Sequence, residues 1–310
     1  MTKDTVDCVA EVVERVVDIG DLDLKRNLKI RAFLALVLAP VFRELQPRIR
    51  YAEMGRRGIT PAQYFQDFRN YPATFGWGDR FTGRYEVRLF RSVSGERRGA
   101  LGEAQRIERL ILETGATLTG RPAIAPPASL GFEPSLGAPA TAGTGRVIHV
   151  LTRPQDPPGG RWVTEVPEEL AFLELHPYED PFPTMALLRG LEPGFVEVSD
   201  AALELGGLWG VANSDVFQHV HAREYTIAME NGLGLALAAA KIPLESHFTT
   251  RARVIFRRPS FVEERYALTI RLFRRDREIV ALGAFYGADE VANRDEGRAR
   301  VFLRFEGRLA

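Results

Sequence analysis

Apolar and polar positions along the first fifty residues recur with a helical period. Val6, Val9, Val13 and Val16 follow one another at spacings of three, four and three behind Asp4, which predicts an amphipathic helix over 4–18 capped by that aspartate. Ile30, Leu34, Val37, Val41 and Leu45 continue the period in a second helix, kinked at Pro40 and stopped by Pro47. From residue 84 the period falls to two. Tyr85, Val87 and Leu89 then share one face of a strand, and Leu110, Leu112, Thr114, Ala116 and Leu118 share one face of the next. Near residue 222 the helical period returns in Tyr225, Met229, Leu233, Leu237 and Ala240, ending at Pro243. Four strand-like runs follow, near 248–258, 264–274, 278–287 and 299–306. A helix followed by antiparallel strands predicts an α+β fold with a sheet wrapped around a helix.

The pattern repeats within the chain. Phe68-Arg69-Asn70-Tyr71-Pro72 precedes Arg88-Leu89-Phe90-Arg91, just as Phe256-Arg257-Arg258-Pro259 precedes Arg271-Leu272-Phe273-Arg274. The tetrads lie 183 residues apart and the prolines 187, so one connecting loop differs by four residues. This predicts a duplication, with any pocket at the interface of two related halves. Between Gly120 and Gly145 periodicity vanishes among prolines 122, 126, 127, 134 and 139. The predicted division is therefore a first half over 1–120 with leading helices, a linker over 121–145, and a second half over 146–310. The second half opens with short segments around 146–152 and 161–166.

Composition narrows the function. The 310 residues hold 41 Lys and Arg against 41 Asp and Glu, which argues against a nucleic-acid binder needing surplus cations to displace counterions. A single cysteine, Cys8, excludes an intrachain disulfide and a multi-thiolate zinc site, and makes a cysteine nucleophile the least favoured chemistry. The acidic N-terminal stretch lacks the basic region of a secretory signal, and the early apolar run 32–41 is shorter than the ~20 residues of a membrane span. The expectation is a soluble, cytoplasmic protein.

Candidate chemistry concentrates in Asn213-Ser214-Asp215-Val216-Phe217-Gln218-His219-Val220-His221, directly before the helix carrying Tyr225 and Glu230. A carboxylate, an amide and two imidazoles meet a helix N-terminus, whose free N–H groups can polarise a carbonyl. In this reading Asp215 activates water or attacks, and His219 orients substrate or moves a proton. The bland reading has Asp215 capping the helix while the histidines bond backbone groups.

The run Asp215-Val216-Phe217-Gln218-His219-Val220, followed by Tyr225 and Glu230, resembles the signature D-V-N-Q-H-V-N-N-x-x-Y-I of the hotdog-fold acyl-acyl-carrier-protein thioesterases of plants and bacteria. The motif match covers roughly residues 205–290, and the repeat extends a looser resemblance into the first half. The resemblance implies a tandem (double) hotdog fold, each half an antiparallel sheet around a helix, with the working site in the second half. It implies thioester hydrolysis by Asp215 and His219, with His221 standing in for a missing polar partner and with Phe217, Gln218, Tyr225 and Glu230 binding substrate. No cofactor or metal is expected beyond the CoA or phosphopantetheine that carries the substrate. The partners are acyl carrier protein or acyl-CoA in lipid or polyketide metabolism, with homodimerisation left open. Phe217 replaces the family's asparagine, and Pro259 stands where the family has a glutamate after the next strand.

Other readings stay open on the residues. Double-hotdog dehydratases need a first-half histidine, but the first histidine here is His149, which lacks their glycine four positions on. An acyltransferase or decarboxylase would draw a nucleophile from Tyr51, Tyr64, Tyr71 or Tyr85. A non-enzymatic carrier-protein module would dock through Arg251, Arg253, Arg257, Arg258, Arg271, Arg274, Arg275 and Arg277, whose bland reading is a solvated strand surface beside Glu263, Glu264, Asp276 and Glu278.

Overall fold

The computed structural model describes residues 8–16, 21, 23, 27–33, 48–72, 75, 80–98, 104–121, 138–157, 160–198, 202–214, 219–287, 290 and 298–309. The first half contributes five strands, β1 (Cys8–Val16), β2 (Thr60–Asn70), β3 (Arg80–Arg98), β4 (Ala104–Gly120) and β5 (Ala140–Thr152), together with the short helix α1 (Tyr51–Arg56). A crossing segment carries β6 (Leu175–Pro177), α2 (Met185–Arg189) and β7 (Val196–Glu197). The second half is β8 (Leu203–Leu208), the long helix α3 (Ala222–Ala239), β9 (His247–Phe256), β10 (Arg265–Arg275), β11 (Glu278–Gly287) and β12 (Val301–Leu309).

Both halves order their strands alike. The first runs β1-β3-β4-β5-β2, and the second runs β8-β10-β11-β12-β9. The two second strands, β2 and β9, pair antiparallel and fuse the halves into one sheet. Phe65 faces Ile255 and Phe68 faces Ala252, and both 252 − 65 and 255 − 68 equal 187, the spacing of the two prolines in the repeat. The seam is therefore related to itself by a twofold axis passing beside Gln66 and Asp67. Duplicated halves meet isologously, as two copies in a symmetric dimer would.

The sheet buries both faces. On one, α3 presents Tyr225, Met229, Leu233 and Leu237 to Leu268, Ile270, Ala281 and Phe305. Its Gly232 permits the close approach, since a Cβ there would meet Ile270 Cδ1 at 2.3 Å. On the opposite face the crossing segment lays Tyr178, Phe182, Met185, Leu188 and Phe195 over Phe65, Ile111, Ile148, Ile255, Phe273 and Phe302, residues of both halves. Burial on two sides explains why β11 reads as an almost unbroken apolar run.

Three expectations change. Cys8–Val16 is a strand paired with β3, not part of a helix over 4–18, and Asp4 lies outside the described residues. The segment is rich in β-branched valine, whose pleated fit against a neighbouring strand overrides a helical spacing read over only three turns. Cys8 accordingly lies on a strand. Of the second helix, 30–33 is helical, and 34–47 lies outside the described residues. Finally, β5 closes the first half by pairing with β4 and β2, so that half extends to Thr152, and the stretch between it and β8 crosses the outer face of the sheet. Of the predicted linker over 121–145, residues 140–145 belong to β5 and 121–139 join β4 to β5, while Trp162 in 161–166 bridges back to Thr152.

Candidate functional site

The chain leaves β8 at Leu208, makes a short 3-10 turn over Val211–Asn213, and enters α3 at Ala222. Asp215, Val216, Phe217 and Gln218 lie outside the described residues. The frame around them is built from the turn that follows β9. Val220 N donates to Ser260 O at 2.8 Å, and Ser260 N donates to the Tyr225 hydroxyl oxygen at 3.2 Å. His219 bridges to Phe261, their rings edge to face with centroids 5.0 Å apart. Pro259 thus turns the chain so that the next two residues hold the histidine segment against the head of α3. A second brace comes from Asn213, whose Nδ2 donates to Glu224 Oε2 at 2.8 Å while its Oδ1 accepts from Gly210 N at 2.9 Å. Beneath lies a network in which Arg300 binds Glu264 at 2.5 Å and Glu290 at 3.1 Å, holding the Glu290 carboxyl below the usual range despite partial burial.

The predicted site residues separate. His219 sits at the centre of this frame, half-buried. His221 is exposed and is the N-cap of α3, its Nδ1 accepting from Arg223 N at 3.2 Å, while Glu224 N donates to its carbonyl at 2.9 Å. The cap that the bland reading assigns to Asp215 is supplied by His221, whose Nδ1 is engaged by the backbone of its own helix. Two N–H groups of the first turn are also spent on it, so they are not available to an oxyanion. Tyr225 is 2% exposed, enclosed by Trp209, Phe256 and Phe285, and burial raises its hydroxyl pKa. Its hydroxyl holds the Ser260 backbone in the turn after β9.

Glu230 lies nine residues along α3 from His221, roughly 13 Å at ~1.5 Å per residue. It faces the first half, where Oε1 accepts from Arg31 N at 3.0 Å and Oε2 lies 3.8 Å from Arg31 Nε. Burial raises its pKa to about 7, opposed by those bonds and by Lys29. This side chain ties the central helix of one half to the first turn of the other half's helix, at residues 30–33. The motif assigns it to substrate, and in the folded chain its carboxylate is held by Arg31.

Reading one sequence run also missed its counterpart. Lys29 N donates to Asp21 O at 2.8 Å, and His221 N donates to Asn213 O at 2.8 Å. Both 221 − 29 and 213 − 21 equal 192, as does the difference between the helix starts, 222 − 30. At that offset Asp23 corresponds to Asp215, and Asn27 to His219. The first half carries the corresponding sequence position with an amide in place of the imidazole. The available signal was the shared D-x-x-x spacing, Asp23 to Asn27 and Asp215 to His219. Here the Asp23 carboxylate accepts from Asn27 N at 2.8 Å and from Asn27 Nδ2 at 3.1 Å.

The strand order, the symmetric seam and the helix α3 packed on the second half of the sheet define the architecture. Solved structures share it over essentially the whole chain. One is a provisionally assigned oleoyl thioesterase from Lactobacillus plantarum, 9% identical, with TM-score 0.68, 99% of this chain and 98% of that one covered. Another is the 12:0-ACP thioesterase from Umbellularia californica, 14% identical, with TM-score 0.59, 97% and 98% covered. The acyl-ACP thioesterase from Bacteroides thetaiotaomicron follows at 9% identity and TM-score 0.57, with 96% and 97% covered. The chain is a double hotdog protein. No family model matches it, and neither does any curated protein.

Two of the four tyrosines, and the histidine, that the rival chemistries would draw on are committed elsewhere. Tyr85 is sealed in the first-half core, and Tyr64 donates its hydroxyl proton to Pro183 O at 2.9 Å. His149 is 5% exposed, and burial lowers its pKa to about 4. Five of the eight arginines expected to form a docking face are paired, Arg251 with Asp67, Arg253 with Glu306, Arg258 with Glu290, Arg271 with Glu197, and Arg275 with Glu192 and Glu278. Of the acidic neighbours that the bland reading named, Glu278 is among these partners. Among the described residues no three His, Cys, Asp or Glu side chains group to hold a metal, and no helix is long and apolar enough to cross a membrane.

Proposed function

We propose that the protein hydrolyses acyl thioesters, with Asp215 as general base or nucleophile and His219 as the orienting or proton-moving group. The observation that supports this most is the Asp215-Val216-Phe217-Gln218-His219-Val220 run in the sequence, whose last two residues, His219 and Val220, lie just before the central helix of the second hotdog half. The three similar structures described above all bear thioesterase names, two of them for substrates on acyl carrier protein. The substrate carrier is acyl carrier protein or CoA, the setting is cytoplasmic lipid or polyketide metabolism, and water with the protein's own side chains suffices for the reaction. Hydrolysis breaks the C–S bond of the thioester, gives its acyl carbon the water oxygen, and returns a proton to the departing thiolate. Phe217 brings no hydrogen-bonding group to the water, so activation falls to Asp215.

A panel of acyl-CoA and acyl-carrier-protein thioesters tests the reading. Wild-type protein is expected to release free thiol, and Asp215→Ala to lose at least ~100-fold of that rate, in the range typical of a general base. Equal turnover by the variant, or none by the wild type on any member of the panel, would overturn the assignment.

A further inference from the structure

Ser214 and His219 bound the segment that carries Asp215. Its two ends are drawn together in a neck, where Ser214 bridges to Val220 and His221 N donates to Asn213 O at 2.8 Å. Asn213 uses both ends of its amide there. Oδ1 accepts from Gly210 N at 2.9 Å, which closes the 3-10 turn before the neck. Nδ2 donates to Glu224 Oε2 at 2.8 Å, in the first turn of α3. Glu224 N donates in turn to His221 O at 2.9 Å, so this one residue holds both sides of the neck, one by its side chain and the other by its backbone. The side-chain bond is partly buried and ends on a carboxylate, which makes it stronger than a bond between neutral groups.

The first half separates this clamp from the neck. Its hydrogen bond from Lys29 N to Asp21 O, 2.8 Å long, is the counterpart of the one between His221 and Asn213. At the same offset Asp21 stands for Asn213, and Ala32 for Glu224, since 224 − 32 is again 192. A carboxylate has no N–H to donate and a methyl group accepts nothing, so the first half cannot form the pair. The neck therefore closes without a clamp. The clamp belongs to the half that carries Asp215 and His219, and the half without it has Asn27 at the histidine position. We infer that Asn213 and Glu224 are positioning residues, which fix the segment carrying Asp215 against the first turn of α3. This role rests on the reading of Asp215 as the group that activates water. A catalytic group displaced by ~1 Å loses on the order of a hundredfold in rate, so even a partial loosening of the neck is readable in kcat.

Reversing the polarity of the pair tests this. Asn213→Asp keeps the acceptor for Gly210 N, removes the donor to Glu224 and sets two carboxylates face to face. Adding Glu224→Gln lets the new amide donate to the new carboxylate. Asn213→Asp is expected to lower kcat about tenfold and leave KM within about twofold, and the double variant to recover most of the loss. Amide hydrogen exchange over 210–221, followed by mass spectrometry, reads the clamp without turnover. It is expected to be about fivefold faster in Asn213→Asp and to slow again in the double variant. Unchanged kcat in Asn213→Asp, a rise in KM in its place, or no recovery in the double variant would overturn the inference. Should the wild type hydrolyse no thioester, the hydrolytic reading falls and exchange alone decides. Faster exchange reversed by the second substitution would leave the clamp standing, and equal exchange in Asn213→Asp and wild type would remove it.

Discussion

Asp67 and Arg251 join the two halves across the seam. The guanidinium Nε and Nη2 donate to Oδ1 and Oδ2 at 2.8 and 2.6 Å, both side chains are largely buried, and the pair lies beside the twofold axis between β2 and β9. The bidentate geometry and partial burial make it stronger than a surface ion pair.

Removing one partner leaves the other charge desolvated. Asp67→Ala and Arg251→Ala are each expected to cost about 2 kcal/mol in urea unfolding, with a coupling above ~1 kcal/mol in the double-mutant cycle. A coupling near zero would show that the halves are held by apolar contacts and backbone pairing alone.

Glu230 adds a pH dependence of opposite sign to most carboxylates. Its pKa is raised to about 7 in the folded chain, so between about 4.5 and 7 the folded state binds the extra proton. Stability from this group is greatest below its unfolded pKa and falls as pH rises to 7. Glu230→Gln keeps an oxygen for Arg31 N and removes the titration. The variant is expected to be more stable than wild type at pH 8, by up to ~3 kcal/mol, and to lose that advantage at pH 4. A pH-independent difference would contradict the burial assigned to this carboxyl.

His149 acts in the other direction. Its pKa is lowered to about 4 by burial, so between about 6.5 and 4 the unfolded chain takes up the proton first. Stability is lost as pH falls through that window. His149→Gln is expected to flatten the acid limb of the stability curve by up to ~1.4 kcal/mol per pH unit. Equilibrium urea unfolding from pH 4 to 7 measures it.

Two glycines of α3 separate packing from helix propensity. A Cβ on Gly234 would have nothing nearer than Leu244 Cδ1 at 3.9 Å, so Gly234→Ala is expected to stabilise by ~0.5–1 kcal/mol. Gly232 faces Ile270 at 2.3 Å and Leu205 at 3.0 Å, so Gly232→Val is expected to destabilise by ~2 kcal/mol or more through overpacking. Thermal unfolding of both variants checks the pair, and the opposite order would contradict the seating of α3 on the sheet.

Tyr225→Phe removes the acceptor for Ser260 N and strands a buried donor. The expected loss is about 1–2 kcal/mol of stability, with a far smaller effect on hydrolysis than Asp215→Ala. A large rise in KM with unchanged stability would instead return Tyr225 to the substrate.

Alternation and helical spacing were enough to read most of the second half. Tyr225, Met229, Leu233 and Leu237 share the buried face of α3, and Leu268, Ile270 and Leu272 share the face of β10 beneath it, because burial on one side imposes the period of the element. The repeat of Pro72 and Pro259 likewise carried the duplication, and its spacing reappears in the register of the seam. Local pattern misled where partners are distant. Cys8–Val16 is a strand because β3 offers it a ladder 64 to 79 residues away, and β5 belongs to the first half because β2 and β4 claim its backbone hydrogen bonds. The roles of His221 and Glu230 were also beyond a linear reading. One caps its own helix and the other reaches Arg31 in the opposite half, and neither neighbour is visible in the spacing of a motif. Residue order determined most elements of the second half and that the pattern comes twice. Only the folded chain decided which side chains meet, since long-range pairing and burial select among contacts that the local period leaves equal.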